Sequence, residues 1–297
     1  MRLDATHLHT LATVVSEGSF EAAARRLHVS PSAVSQRIKA LEESVGQVLV
    51  RRTHPCQPTA AGQPLLRLAG QVALLEREAM LAAAGADRSD QGWTRAAVVV
   101  NADSLATWFL PALAGLPRDL AVAFDLYEED QDHTAELLRD GTAMAAVTAQ
   151  HTPVQGCRVI RLGAMRYLAL AAPEFVERYL SGGLTAAALA ATPMIVFNRK
   201  DQLQHRFLRR LTRRPIEPPI HYVPSAWGFA EAVRLGLGWG MMPEQIARAD
   251  LAAGRCVELA PGRYLDVPLY WQHWRLDSSM LGTLTEAVQR AAAAALR

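Results

Sequence analysis

Cysteine is scarce in this 297-residue chain: Cys56, Cys157 and Cys256 stand far apart, odd in number and without a C-x-x-C pair. That excludes a disulfide framework and offers no zinc spacing, so the three read as reduced thiols. No apolar run approaches the ~18 residues a membrane helix needs. The opening MRLDATHLHTLATVV also lacks the basic flank and unbroken apolar core of a secretory signal. A cytoplasmic protein with no membrane insertion is expected. Net charge is low as well, +2, too small to argue for nucleic acid by itself. G-x-S-x-G, H-E-x-x-H and Walker loops are missing, and no Cys/His pair stands ready. With no nucleophile beside its base, no enzyme is expected. His133 and His151 lack metal-ligand spacing, so no metal is expected either. Gly236, Gly238 and Gly240 lack the spacing of a dinucleotide fingerprint and read as a tight approach into a strand.

What is present is an ordinary globular composition, 50% apolar and 20% charged, with length for about two domains. Leu8, Leu11, Ala12 and Val15 recur at helical spacing before Gly18. Ser19 then caps a helix over Phe20 to Leu27, and Ser30 with Pro31 announces a third helix that stops at Gly46. Val48 to Val50 reads as a short strand, and the basic, turn-rich Arg51 to Pro58 as a hairpin wing. From Ala60 to about Ala86, Leu65, Leu68, Val72, Leu75 and Ala79 alternate spacings of three and four, which fits equally the seam of a helix that packs along another and a single helix lying on its own domain. GADRSDQG at 85–92 marks a hinge. The expected division is therefore a winged helix-turn-helix head at 1–60, a linker and dimerisation helix with its hinge at 61–91, and a ligand-binding domain at 92–297. In that last part apolar runs alternate with helical stretches (Ala96 to Val100, Leu120 to Leu126, Met144 to Thr148, Tyr167 to Ala171, Met194 to Phe197, His221 to Val223, Trp239 to Met242, Pro268 to Trp271). The rhythm implies βα units in two lobes. Leu281 to Leu296 reads as a closing helix with a frayed, Ala-rich end.

The segment SFEAAARRLHVSPSAVSQRIKALE carries the chemistry of DNA reading. Ala23, Ala24 and Leu27 face Val34, Ile38 and Leu41 across a short turn whose corner Val29 fills. The other face of the second helix is left outward, with Ser32, Ser35, Gln36, Arg37 and Lys39. Gln36 suits adenine edges and Arg37 guanine, while the cap Ser30, Ser32, Ser35 and Lys39 suit phosphates or bases. Arg51, Arg52 and Thr53 on the wing suit flanking phosphates or the minor groove. One such module covers half a site, which calls for a dimer. An isolated polar face of this kind is usually just solvated. Here corner, cap, polar face and basic wing occur together.

From Ala23 to Glu42 the pattern A-A-x-x-L-x-x-S-x-x-x-V-S-x-x-I-x-x-L-E resembles that of the LysR-type transcriptional regulators. The resemblance extends over the whole chain. SPSAVSQRIKALE, VNADSLATWFLPAL and LYWQHW are similar to the ArgP/LysG group of that family. The resemblance implies an all-α winged helix-turn-helix with a long linker helix, then a two-lobed α/β domain like periplasmic solute-binding proteins. Its lobes are joined by crossover strands, with lobe I at about 92–164 and 269–297 and lobe II at about 165–268. It also implies promoter DNA and RNA polymerase as partners and a homodimer or a tetramer built as a dimer of dimers. The effector it implies is lysine or arginine, with activation of a basic amino-acid exporter gene.

Such an effector needs acceptors for its cations and donors for its α-carboxylate in a dry cleft. Asp103 suits an ammonium, and Ser104, opening a helix after a strand, suits a carboxylate. YEEDQDH supplies Glu128, Glu129, Asp130, Asp132 and His133 near the carboxyl edge of the sheet, either as a solvated acidic turn or as cation acceptors, with Glu129 and Asp130 favoured over Asp132 because the resemblance is closest there. Thr148 and Gln150 end a third strand, and Asn198, Asp201 and Ser225 supply a second wall. Any of these residues can instead be a turn or N-cap residue, the commoner fate of Ser and Asp after a strand. Trp108 and Trp227 read as core. A different small-molecule effector and a ligand-independent DNA-binding protein stay open as alternatives.

Overall fold

The first three helices are bounded by the residues their sequences supply. The computed structural model describes residues 3–83, 93–128, 131–212 and 215–297, with only the backbone of 131–133. In it α1 (Ala5–Glu17) starts at Asp4, whose carboxylate accepts from the Thr6 amide at 2.7 Å, and ends at Gly18. Ser19 caps α2 (Phe20–Leu27) and Ser30 caps α3 (Pro31–Val45), with Pro31 in the first turn. Leu11, Val14, Ala23, Ala24, Val34, Ile38 and Leu41 form one buried core, so the two apolar faces meet across the turn as predicted. The wing pairs β1 (Val50–Arg51) antiparallel with β2 (Gln57–Pro58). Two hydrogen bonds pin it to the head: the Leu49 amide donates to Glu42 Oε1 at 2.8 Å, and the Cys56 amide to the Gly18 carbonyl at 2.7 Å.

Next comes α4 (Gly62–Ala83), 22 residues long, whose apolar residues go three ways. Leu65 and Leu68 pack on the head core, and Leu74 is buried in the core of the C-terminal domain. Val72 is half-buried, while Leu75, Ala79 and Met80 are exposed. Only the latter part of the expected seam thus faces outward, because its first turns cover their own head. The expected hinge at 85–92 lies outside the described residues up to residue 92.

The C-terminal domain opens with β3 (Thr94–Val100). A continuous helical run follows, made of α5 (Ala102–Ser104), a π-helical turn (Leu105–Phe109) and α6 (Leu110–Ala114). β4 (Val122–Glu128), α7 (Gln131–Asp140) and β5 (Ala145–Thr148) come next, and β3 lies parallel between β4 and β5. The long β6 (Cys157–Ala171) leads to α8 (Pro173–Leu180), α9 (Ala186–Ala191), β7 (Met194–Val196), α10 (Leu203–Leu211) and β8 (Ile220–Tyr222). Then come α11 (Ala226–Arg234), β9 (Gly240–Pro243), α12 (Glu244–Ala252) and β10 (Val257–Glu258). β11 (Tyr264–Trp274) returns antiparallel along β6, and α13 (Ser279–Ala295) closes the domain. The strands β10, β6, β11, β5, β3 and β4 lie side by side in one curled sheet with β9 on β6, while β7 and β8 form a parallel pair. This is the two-lobed architecture, with β6 and β11 passing from one lobe to the other.

Those two strands outrun the segments the sequence marks as apolar. In Cys157 to Arg166 and Tyr264 to Val267 charged residues interrupt the run. Arg166 meets Asp266 directly across the ladder, with both guanidinium contacts at 2.9 Å. Gly240 is the close approach expected of RLGLGWG, since a Cβ there would lie 2.6 Å from the Phe229 ring. The frayed C-terminus is corrected: Ala292 is buried, and Arg297 exchanges backbone hydrogen bonds with Ala164 at 2.9 Å. Its guanidinium reaches both oxygens of Glu244. No described helix is long and apolar enough to cross a membrane.

Candidate nucleic-acid interface and ligand cleft

On α3 the buried residues Val34, Ile38 and Leu41 turn inward, which leaves Ser32, Gln36 and Lys39 exposed and Ser35 and Arg37 half-buried at the margins of the same face. Ser30 caps the helix, accepting from the Ala33 amide at 3.2 Å, and lies 2.8 Å from the Ser32 hydroxyl. The Lys39 ammonium sits 3.6 Å from Glu43. Such an exposed pair contributes little, so it does not keep Lys39 from a phosphate. On the wing Arg51, Arg52 and Thr53 are all exposed. The Arg52 guanidinium lies over the Phe20 ring at 4.8 Å, while the Thr53 hydroxyl donates to the Pro55 carbonyl at 2.7 Å and so braces the wing turn. Arg25 and Arg26 add exposed charge in the last turn of α2, beyond the residues the sequence singles out.

The second site lies where β3, β4 and β5 end opposite the turn after β7 and the start of α11. A cleft of about 560 Å³ opens there, a volume suited to a small ligand. Asn101, Asp103, Glu128, Thr148, Tyr167, Asn198, Asp201 and Arg206 line it with polar groups, and Phe197, Phe229, Met241, Ile246, Val267 and Leu269 give it apolar walls. Asp103 accepts the Tyr167 hydroxyl at 2.6 Å. Burial pushes the Asp103 carboxyl up to about 6. The Tyr167 hydrogen bond opposes that rise, and the Asp201 and Glu128 carboxylates add to it. Burial and the neighbouring Asp103 hold the Tyr167 phenol well above its ordinary value, so it keeps its proton.

Four of the expected cleft residues line this cavity: Asp103, Thr148, Asn198 and Asp201. Two of them also order the backbone. Asn198 Oδ1 accepts from the Lys200 and Asp201 amides at 2.9 and 3.1 Å, and Asp201 accepts from the Phe197 and Leu203 amides at 3.2 and 2.9 Å. The others lie elsewhere. Ser104 is fully buried beneath the cleft surface, and its hydroxyl has no partner among the described residues. Gln150 is off the lining, with its amide donating to the Thr148 hydroxyl at 3.2 Å. Ser225 caps α11, accepting from the Gly228 amide at 3.2 Å. Glu129 and Asp130 lie outside the described residues, as do the side chains of Asp132 and His133. Trp108 is core, as expected. Trp227 is not: it is 74% exposed, because α11 turns Phe229, Ala230 and Val233 inward instead. Glu128, the first acid of YEEDQDH, lines the cleft, while Tyr167 and Arg206 are cleft residues that the sequence does not single out.

Chemically, the carboxylates of Asp103, Glu128 and Asp201 share one cavity of mixed polar and apolar walls with Lys200 and Arg206. That set suits a ligand with a cationic group on an aliphatic stem, with the Arg206 guanidinium as a donor for a carboxylate. Among the described residues no three His, Cys, Asp or Glu gather as a metal site.

Two known protein families match the chain. Residues 5–63 match the bacterial regulatory helix-turn-helix protein, lysR family, and residues 91–293 match the LysR substrate binding domain. The chain is 48% identical to the lysine export transcriptional regulatory protein LysG of Corynebacterium efficiens, over 98% of each chain. It is similar to the crystal structure of ArgP from Mycobacterium tuberculosis, with TM-score 0.91 and 54% identity over 100% of this chain and 99% of that one. It also resembles full-length LysG of Corynebacterium glutamicum with bound effector Arg, with TM-score 0.81 and 42% identity over 99% of this chain and 100% of that one.

Proposed function

The chain belongs to the LysR family of bacterial transcriptional regulators and is not an enzyme, and from that premise we propose that it senses a basic amino acid, arginine or lysine, in its interlobe cleft. The observation that carries the reading is the presence of Asp103, Glu128 and Asp201 together in the lining of a cavity of about 560 Å³, close enough for the last two to act on the first. Its similarity to a LysG that holds arginine supports the same ligand class. Asp103 and its neighbours take the side-chain cation or the α-ammonium, Arg206 is the nearest fit for the α-carboxylate, and Phe197, Phe229 and Ile246 cover the stem. The regulated gene is an exporter of the same amino acid, a reading that the name of the Corynebacterium efficiens relative supports.

On the DNA side Ser32, Ser35, Gln36, Arg37 and Lys39 enter the major groove, while Ser30, Arg51, Arg52 and Thr53 flank it. The protein works in the cytoplasm as a dimer or a dimer of dimers, and RNA polymerase is its further partner. The exposed Leu75, Ala79 and Met80 on α4 support pairing through that helix. The functional division follows 1–60, 61–91 and 92–297.

A contact route links cleft and head. Pro243 and Ile246 line the cleft. Between them Glu244 holds Arg297, and Gln245 donates to the Ala295 carbonyl at 2.6 Å, fixing the end of α13. At the other end of α13, Glu78 of the linker helix accepts from the Ser278 hydroxyl at 2.8 Å and the Met280 amide at 3.0 Å. Ligand-driven movement of the second lobe therefore pulls on α13 and, through Glu78, on α4. Coupling of this kind needs a ligand that favours one lobe arrangement over another.

A thermal-shift screen of the twenty amino acids tests the reading. A ligand at 100 times its Kd stabilises by about 2.7 kcal/mol, a shift of several degrees. Arginine or lysine should raise the midpoint and leucine should not. No shift with either cation overturns the assignment.

A further inference from the structure

Tyr167 reaches the cleft from a strand with little freedom to move. On β6 it stands opposite Leu265 of β11 on one side and Pro243 of β9 on the other, so both edges of its backbone are held in a ladder. Its ring is 4% exposed, and its hydroxyl ends 2.6 Å from Asp103 Oδ2. Asp103 belongs to the short helix after β3, in the other lobe. The bond therefore spans the floor of the cleft, fixing one carboxylate oxygen and leaving Oδ1 for a ligand.

The need for such a bond follows from what faces Asp103. Glu128 at the end of β4 and Asp201 in the turn after β7 both repel its negative form, and burial penalises it further. Lys200 and Arg206 line the same cleft. Among the described groups acting on Asp103, the phenol is the one that favours its charge, and as a retained O–H it can only donate to the carboxylate. Without that donor, Asp103 would hold its proton to higher pH and its side chain would be free to turn. A neutral carboxyl receives a neutral hydrogen-bonding group about as well as a cation.

We propose that Tyr167 is a positioning residue: its hydroxyl holds Asp103 charged and aimed at the ligand, and so makes the cleft choose a cationic amino acid over a neutral isostere. This rests on the amino-acid reading above and deepens it, since selectivity is assigned to a residue on the crossover strand that need not touch the cation.

The test is Tyr167→Phe in the full-length protein, with arginine and its neutral isostere citrulline titrated calorimetrically between pH 5 and pH 8. Wild type should prefer arginine at least tenfold at pH 7.5. In the variant the preference should narrow about fivefold or more, mainly through weaker arginine binding, and the pH at which arginine affinity falls away should move upward. Equal weakening of both ligands, or an unmoved pH midpoint, overturns the proposal and leaves Tyr167 a packing residue. A second measurement needs no ligand. The thermal midpoint of wild type and variant is followed over the same pH range, where raised Asp103 protonation makes stability fall with rising pH until the carboxyl is ionised. That fall should extend to higher pH in the variant, whereas parallel curves overturn the proposal. If wild type binds neither amino acid, the amino-acid reading fails, and the stability curves alone decide the role of Tyr167.

Discussion

The DNA-reading face and the ligand cleft are built on opposite plans. Ser32, Ser35, Gln36 and Lys39 arrive together through helix geometry alone, and the core beneath them comes from the same short stretch of chain. The cleft gathers Asp103, Glu128, Thr148, Tyr167 and Asp201 from five separate segments across two lobes. A contiguous face is rigid and reads a fixed partner. A distributed one changes shape whenever its lobes move, and this lets a bound ligand alter something outside the cleft. The head also exposes most of its working side chains, whereas the cleft holds a half-buried carboxylate near two others and accepts the cost in stability.

Breaking the distributed site should have the largest effect. Asp103→Asn removes the charged, half-buried acceptor and should weaken arginine binding by about 2–4 kcal/mol, read by calorimetry. The ligand-free variant should also be more stable than wild type at pH 7.5. The folded carboxyl titrates at about 6 against an ordinary 3.8, so its stabilising contribution is complete below 3.8 and is lost as pH rises through 6. Removing the charge restores on the order of 1–2 kcal/mol, visible as a higher thermal midpoint. Next in size, Arg37→Ala should cost about 1–3 kcal/mol on the cognate duplex and little on unrelated DNA, which competition binding separates. Lowering the pH from 7.5 to 5 should weaken arginine binding roughly tenfold, since below about 6 Asp103 holds a proton that the cation must displace. The smallest effect is Arg52→Ala, expected to weaken all duplexes a few-fold and to reduce the salt slope by about one. Glu78→Ala sharpens the comparison differently: arginine should still bind, but its influence on DNA affinity should shrink.

The two plans also explain how much the sequence discloses. The head is legible because caps, corner and outward face are all set by spacings of three and four, so Ser19, Ser30, Gly18 and Gly46 mark its boundaries directly. The cleft is legible only where a strand stops. Asp103, Thr148, Asn198 and Asp201 follow strand ends, the places where open sheets of this kind hold ligands. The same cue brings in Ser225, whose hydroxyl is taken up by its own helix. Tyr167 escapes it because it stands within an apolar strand and reads as core. Its phenol becomes a site group only when β6 crosses between the lobes. Arg206 escapes because a charged residue on α10 gives no sign of which face meets the cavity. The ladder of Arg166 with Asp266 shows the same limit for the fold: charges that pair across strands hide the strand from its own sequence.

The claim under all of this is that a cation held between the lobes alters the grip of the head on DNA. It is tested most directly by measuring the affinity and footprint of the full-length protein on a duplex it has itself selected, with and without saturating arginine. Coupled sites of this kind typically differ by 5- to 150-fold, so the account predicts a change of at least about fivefold in affinity or a shifted footprint. Identical isotherms and footprints in both conditions, with arginine demonstrably bound, would contradict it.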